Sequence, residues 1–155
     1  MMDIKELDKR PNIEQDKKLT NKYVYFDKLI DELKKRELPS EIVNSVNQNI
    51  EDINSFSGSN KELRKQIRKS QSNILKLIEK ELKLVPKNLY RTRWMAIGMS
   101  VFGIPMGAAF GASFDNMSFL AIGIPIGMVI GIAIGAGMDK KAFEEGRQID
   151  LEIKY

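Results

Sequence analysis

Two ten-residue stretches of this chain repeat one another: FGIPMGAAFG, residues 102–111, and IGIPIGMVIG, residues 122–131. Each contains Gly-Ile-Pro followed by glycines at four-residue spacing. Both lie in an apolar block, residues 94–138, in which Asp115 is the one charged residue. Residues four apart fall on nearly the same face of an α-helix. The spacing therefore predicts two helices, each with a groove of small residues along one side.

The apolar block is too long to cross a membrane once. Its 45 residues would form a helix of about 68 Å, more than twice the hydrocarbon thickness of about 30 Å. A carboxylate at mid-membrane also costs about 2.5 kcal/mol or more. We therefore place Asp115 in a turn, residues 114–118, and predict spans over about 94–114 and 119–138.

The glycines are the candidate helix-packing residues. Lipid tails are as apolar as leucine, so helices in a bilayer associate through close backbone approach, which small residues permit. The candidates are Gly103, Gly107, Gly111, Gly123, Gly127, Gly131 and Gly135. They pack either one span against the other or separate copies together, and the sequence leaves both open. Pro105 and Pro125 each remove a backbone donor, so we expect a kink at each.

The GxxxGxxxG spacing in GIPMGAAFG and GIPIGMVIG resembles the glycine-zipper segments of small bacterial membrane proteins. The resemblance covers about residues 98–137. It implies tight helix packing, often with self-association into homo-oligomers, and it brings no catalytic residues. The two prolines depart from the simplest pattern.

Charge is segregated along the chain. Residues 1–93 carry 21 Lys/Arg against 15 Asp/Glu, and residues 139–155 carry four against five. Basic residues flank the outer ends of both predicted spans, and the connecting turn contains none, so the positive-inside rule puts both termini in the cytoplasm. We therefore expect a multi-pass protein of the bacterial inner membrane. The N-terminal residues contain no apolar run, so we expect no cleaved secretory signal. The candidate lipid-headgroup residues are Lys87, Arg91, Arg93, Lys140 and Lys141.

Residues 1–86 are predicted to form a cytoplasmic amphipathic arm of two to three helices. The first runs from about Asn12, as N-cap, to about Leu38, with apolar residues at helical spacing. Its stripe consists of Leu19, Tyr23, Phe26, Ile30 and Leu33. A second stripe contains Val43, Val46, Ile50 and Ile53.

Ser59 and Glu62 form the pattern of a capping box that opens a third helix, predicted to end near Val85-Pro86. The stripes either form the arm's own core or contact partner copies. A basic juxtamembrane linker, 87–93, joins the arm to the spans, and a cytoplasmic tail, 139–155, follows them. The fold class is thus all-α: a helical arm followed by a two-helix transmembrane hairpin.

Composition excludes several kinds of site. The chain has no cysteine and no histidine, which removes disulfides, thiol nucleophiles and imidazole metal ligands. We predict no catalytic residue, no metal, no cofactor and no enzymatic activity.

Residues 61–93 carry a net charge of +8, eleven basic against three acidic residues. Basic residues beside a span attract anionic lipid by about 1 kcal/mol each. Nucleic acid fits less well, because the chain has no glycine-rich phosphate loop and no zinc module. We therefore expect an integral membrane protein of structural or interaction type, whose arm has an unknown protein partner. The alternatives are a holin-like oligomeric pore, a membrane immunity protein, and a hairpin buried in a soluble assembly.

Overall fold

The structure is a computed structural model that describes residues 3–8, 10–11 and 13–152. Helices make up most of these residues, and one short two-stranded sheet is added to them. The predicted all-α class is therefore confirmed, with the sheet as an unpredicted addition. The chain divides into two compact units, residues 1–84 and 85–155.

Three helices form the first unit: α1 (Lys17–Lys34), α2 (Ser40–Asn54) and α3 (Asn60–Leu82). Helix α3 packs against both α1 and α2. The predicted stripe residues of α1 and α2 are all buried, and on α3 the buried apolar residues are Leu63, Ile67, Ile74 and Ile78. The stripes therefore form a core within the chain, as the first of the two interpretations predicted.

Helix α1 begins later than predicted. The expected N-cap, Asn12, lies outside the described residues, and the observed cap is Asp16. Its carboxylate accepts hydrogen bonds from the backbone N–H groups of Lys18 and Leu19, at 3.1 Å each. The same carboxylate pairs with Arg64 of α3 at 3.0 Å, so a tertiary ion pair favours the start at this position.

Helix α1 also ends earlier than predicted, at Lys34 instead of Leu38. Leu33 is the last fully buried residue of its stripe, and the charged residues that follow gain no burial from another helical turn. Helix α2 then starts directly after Pro39, its N-cap, as expected for a residue that cannot continue the preceding helix.

The predicted capping box of α3 is confirmed. The backbone N–H of Ser59 donates to the Glu62 carboxylate at 3.0 Å, and the Glu62 N–H donates to the Ser59 hydroxyl at 3.4 Å. Hydrogen bonds from Ser59 lower the pKa of Glu62 because they favour the charged carboxylate. Helix α3 ends at Leu82, earlier than predicted, where Lys83 adopts the left-handed conformation with φ of 56°.

Two polar residues of α3 are buried in the first unit, Ser70 and Gln71. Among the residues that the structure describes, the Ser70 hydroxyl oxygen has no hydrogen-bond partner. We expect Ser70→Ala to raise the free energy of unfolding by about 1 kcal/mol, because a desolvated, unpaired polar group is removed. The matched control is Ser72→Ala, which changes a less buried serine on the same helix.

Denaturant titration of the full chain in detergent, followed by far-UV circular dichroism, compares the two variants. Both gain the small helix propensity of alanine. An equal gain in both would contradict the burial argument.

The second unit contains β1 (Val85–Lys87), α4 (Leu89–Ser113), α5 (Leu120–Glu144) and β2 (Gln148–Glu152). The two strands pair in parallel, and Val85 lies opposite Gln148. This sheet was not predicted. Strand β1 has three residues and contains proline, so it shows no alternation, whereas β2, QIDLE, does alternate polar and apolar residues and was assigned only to a charged tail.

The helices of this unit extend beyond the predicted spans. Helix α4 begins at Leu89, so the predicted linker, 87–93, is divided between β1 and the first turn of α4. Helix α5 continues past the predicted span end at residue 138 to Glu144. Both helices are long and apolar enough to cross a membrane by length and composition.

The turn between the two helices lies at the predicted place. Asp115 adopts a positive φ of 49°, and the rings of Phe114 and Phe119 stack at 5.1 Å. A short 3₁₀ segment, Met117–Phe119, leads into α5.

Candidate functional site

Glycines form the contact between α4 and α5. All seven predicted glycines are buried. Six face the opposite helix, and Gly111 faces Asn116 and Met117, which precede α5. A β-carbon at Gly127 would lie 2.4 Å from the carbonyl oxygen of Gly98 and 2.6 Å from the Cα of Gly103. The two backbones therefore touch directly, with no side chain between them.

The contact runs along the whole antiparallel pair. At one end, a β-carbon at Gly135 would lie 2.5 Å from the Cα of Arg91. At the other end, a β-carbon at Gly111 would lie 3.1 Å from the sulfur of Met117. The predicted glycines thus lie in the contact between the two spans of one chain, and packing between copies stays a prediction.

An eighth glycine, Gly98, belongs to the contact and was missed because it lies five residues before Gly103. A β-carbon there would lie 2.2 Å from the carbonyl oxygen of Gly127. The segment Met99–Gly103 is a π-helical turn inside α4. A π-turn contains one residue more than an α-turn, so residues five apart share a face. The π-turn therefore keeps Gly98 in the same stripe as the later glycines.

Both prolines lie on exposed positions of their helices. Pro105 follows the π-turn directly. The Ser100 hydroxyl donates to the carbonyls of Ala96 and Ile97, at 3.0 and 3.1 Å. Pro105 has no N–H to donate to the carbonyl of Val101. The Ser100 hydroxyl does not replace that donor, because it bonds to carbonyls earlier in α4. The kinks at Pro105 and Pro125 stay predictions.

The large apolar side chains of α4 and α5 point away from the contact. Among the described residues, nearly all exposed large apolar side chains lie on these helices or their connecting turn. They include Ile97, Val101, Phe102, Ile104, Phe110, Phe114, Met117, Ile122, Ile124, Ile126, Val129, Ile134 and Met138. In each helix, only 22% of the most apolar 18-residue stretch is buried. The pair is therefore glycine inside and apolar outside.

Asp139 lies where α5 passes the start of α4, and it is 7% exposed. Its carboxylate accepts hydrogen bonds from the backbone N–H groups of Tyr90 and Arg91, at 3.1 and 2.9 Å. The local N-cap residue, Asn88, makes no side-chain capping bond. Asp139 therefore caps α4 from the other helix, where the N-terminal dipole favours a carboxylate.

The sequence predicted Asp139 only as part of a charged tail. A signal for its role existed, because Asp139 follows Gly135 by four residues. It thus continues the face that the α5 glycines occupy and points at α4.

The five predicted lipid-headgroup cations come together at this end of the pair. Lys87 lies in β1 and pairs with Asp150 of β2 at 2.6 Å. The other four lie on the first turns of α4 and the last turns of α5, and their side chains are exposed; they are Arg91, Arg93, Lys140 and Lys141. At the same end of the pair, Val85, Leu89 and Ala142 form a small buried cluster.

Among the described residues, no group of three or more metal-ligating side chains is assembled. No protein-family model, curated protein or solved structure matches the chain.

Proposed function

We propose that this chain is an integral membrane protein of structural or interaction type, whose helix pair crosses the bilayer twice. The observation that carries the proposal is the inverted burial of α4 and α5, with glycine at the contact and large apolar side chains outside. A core helix of a soluble protein would be mostly buried, whereas the most apolar 18-residue stretches of α4 and α5 are only 22% buried.

The free energy of apolar exposure supports a lipid environment. Each square ångström of apolar surface in water costs about 25 cal/mol, and isoleucine, valine and phenylalanine cover the outer faces of both helices. Lipid removes this cost, and it also explains why the pair is joined by glycine: in a bilayer, close backbone contact replaces hydrophobic attraction.

The distribution of charge supports an orientation with both termini in the cytoplasm. The cations at the start of α4 and the end of α5 would face anionic headgroups of the inner leaflet. The connecting turn, residues 114–118, contains two exposed positions that suit the opposite interface, Phe114 and Asp115. In this proposal the arm lies near anionic lipid, where it meets a protein partner.

Self-association of copies stays a prediction. Because the glycine stripes of α4 and α5 contact each other, an assembly of copies would have to use the outward apolar faces. These faces carry no row of polar side chains over 97–112 and 120–138, all described residues. A water-lined pore therefore gains no support, and we do not propose one.

Single cysteines test the location cleanly, because the chain contains none of its own. We expect the chain to remain in the membrane pellet after carbonate extraction. In spheroplasts, an impermeant maleimide is expected to label Ser118→Cys in the turn but not Ser57→Cys in the arm, until detergent is added. Both serines are exposed, so exposure is matched. Release of the chain by carbonate would contradict the proposal, and labelling of Ser57→Cys alone would reverse the orientation.

A further inference from the structure

The N-terminal residues 3–8 have no regular secondary structure and are held against α2 by asparagine side chains. Asn47 makes two hydrogen bonds to this segment. Its Oδ1 accepts from the backbone N–H of Lys5 at 2.8 Å, and its Nδ2 donates to the carbonyl oxygen of Asp3 at 3.1 Å. An asparagine amide carries both an acceptor oxygen and a donor nitrogen. Asn47 can therefore bond at once to the carbonyl and the N–H that flank Ile4.

Asn54 repeats this arrangement one tripeptide later. Its Oδ1 accepts from the N–H of Asp8 at 3.0 Å, and its Nδ2 donates to the carbonyl oxygen of Glu6 at 3.1 Å. Seven helical residues advance about 10.5 Å, and three extended residues advance about 10 Å. The two repeats match, so an extended chain that runs parallel to α2 meets both asparagines in register.

Side chains of the segment follow the same three-residue period. Ile4 and Leu7 are half-buried, while the residues on either side of them within 3–8 are exposed. Three residues further, the Arg10 guanidinium donates to the carbonyls of Ile53 (3.2 Å) and Phe56. Ile53 is in the last turn of α2 and Phe56 lies two residues beyond its end, where the helix dipole favours a cation.

A second cation of the segment contacts α2 between the two asparagines. Lys5 pairs with Glu51, which lies one turn after Asn47 and nearly one turn before Asn54. Charge therefore adds selectivity to contacts that are otherwise made to backbone.

We propose that the face of α2 formed by Asn47, Glu51 and Asn54 is a binding site for extended peptides. Its ligand class is a segment with apolar residues three apart, followed after three more residues by Arg or Lys. The N-terminal residues 3–8, together with Arg10, are the resident ligand. Main-chain hydrogen bonds supply the affinity and the apolar and basic side chains supply the selectivity. This proposal concerns the first unit and does not depend on the proposed membrane function.

Because the resident segment is part of the same chain, it competes with any separate peptide (an outside peptide) for the site. A short linker holds the resident segment at an effective concentration on the order of millimolar. An outside peptide of similar sequence therefore competes poorly with the resident. Weakening the resident segment opens the site.

Fluorescence anisotropy tests this with a labelled synthetic peptide of residues 3–10 and the full chain in detergent micelles. The opening variant, Lys5→Glu with Arg10→Glu, places acids beside Glu51 and the α2 carbonyls. We expect it to bind the peptide at least about tenfold more tightly than the unchanged chain, since the resident no longer competes.

Adding Asn47→Ala and Asn54→Ala to the opening variant removes four backbone contacts and is expected to weaken peptide binding at least about tenfold. The matched control is Asn44→Ala, an exposed asparagine of the same helix, which should leave binding unchanged. Far-UV circular dichroism checks that each variant stays helical. No peptide binding by a folded opening variant, or equal binding after the two asparagines are removed, overturns the proposal.

Discussion

Replacing Gly127 with alanine is expected to destabilise the helix pair by about 3 kcal/mol, the upper end of the usual range for overpacking. The added β-carbon would lie 2.4 Å from the carbonyl oxygen of Gly98 and 2.5 Å from the amide nitrogen of Gly103. Both are backbone atoms, which cannot rotate away as a side-chain end does. The helices must therefore separate, and the neighbouring glycine contacts weaken with them.

Gly137 on the same helix is the matched control. A β-carbon there would meet nothing within 4 Å. Gly137→Ala should therefore stabilise by about 0.5 kcal/mol, since glycine inside a helix costs backbone entropy. The free energy of unfolding of each variant follows from SDS titration in mixed micelles, monitored by circular dichroism. Opposite signs are expected, and similar effects of the two substitutions would show that the glycine stripe does not form the contact.

A larger residue at Gly127 connects this prediction to assembly. Gly127→Leu should open the pair, and Gly107→Leu should do the same, because a β-carbon at Gly107 would lie 2.7 Å from the Cα of Leu120. Crosslinking in membranes then shows whether copies associate. An unchanged complex size in both variants would mean that assembly does not use the glycine stripes.

The helix pair was predictable because its signals are local and periodic. Four-residue glycine spacing specifies one face of a helix, and Asp115 marks a turn at the right place. The same holds for the capping box at Ser59 and for the buried stripes of the arm. In each case, residues within one or two turns carry the information.

Features without a regular helical spacing, and features that depend on distant residues, were missed. Gly98 has the wrong spacing for an α-helix, and only the π-turn in Met99–Gly103 returns it to the stripe. The segment over residues 3–8 has no regular secondary structure, and its hydrogen-bond partners, Asn47 and Asn54, lie more than forty residues away, so no local pattern predicts where it binds. The parallel pairing of β1 with β2 joins residues more than sixty positions apart. Strand β2 alternates polar and apolar residues over its five positions, but β1, with three residues and a proline, shows no pattern that would predict the pairing.

Removing the Asp139 carboxylate is expected to cost about 2–3 kcal/mol, because the N–H groups of Tyr90 and Arg91 lose their charged acceptor at a part-buried helix start. Asp139→Ala should show the full loss. Asp139→Asn should show about half, since the amide keeps one acceptor. Asp115→Asn is the control: it removes an exposed carboxylate at a positive φ of 49°, which asparagine tolerates, and should change stability by less than about 0.5 kcal/mol. SDS titration measures the loss, and amide hydrogen exchange locates it, with faster exchange expected at residues 90 and 91. If those two amides stay protected in Asp139→Ala, the first turn of α4 is held by the buried cluster of Val85, Leu89 and Ala142 rather than by the cap from α5.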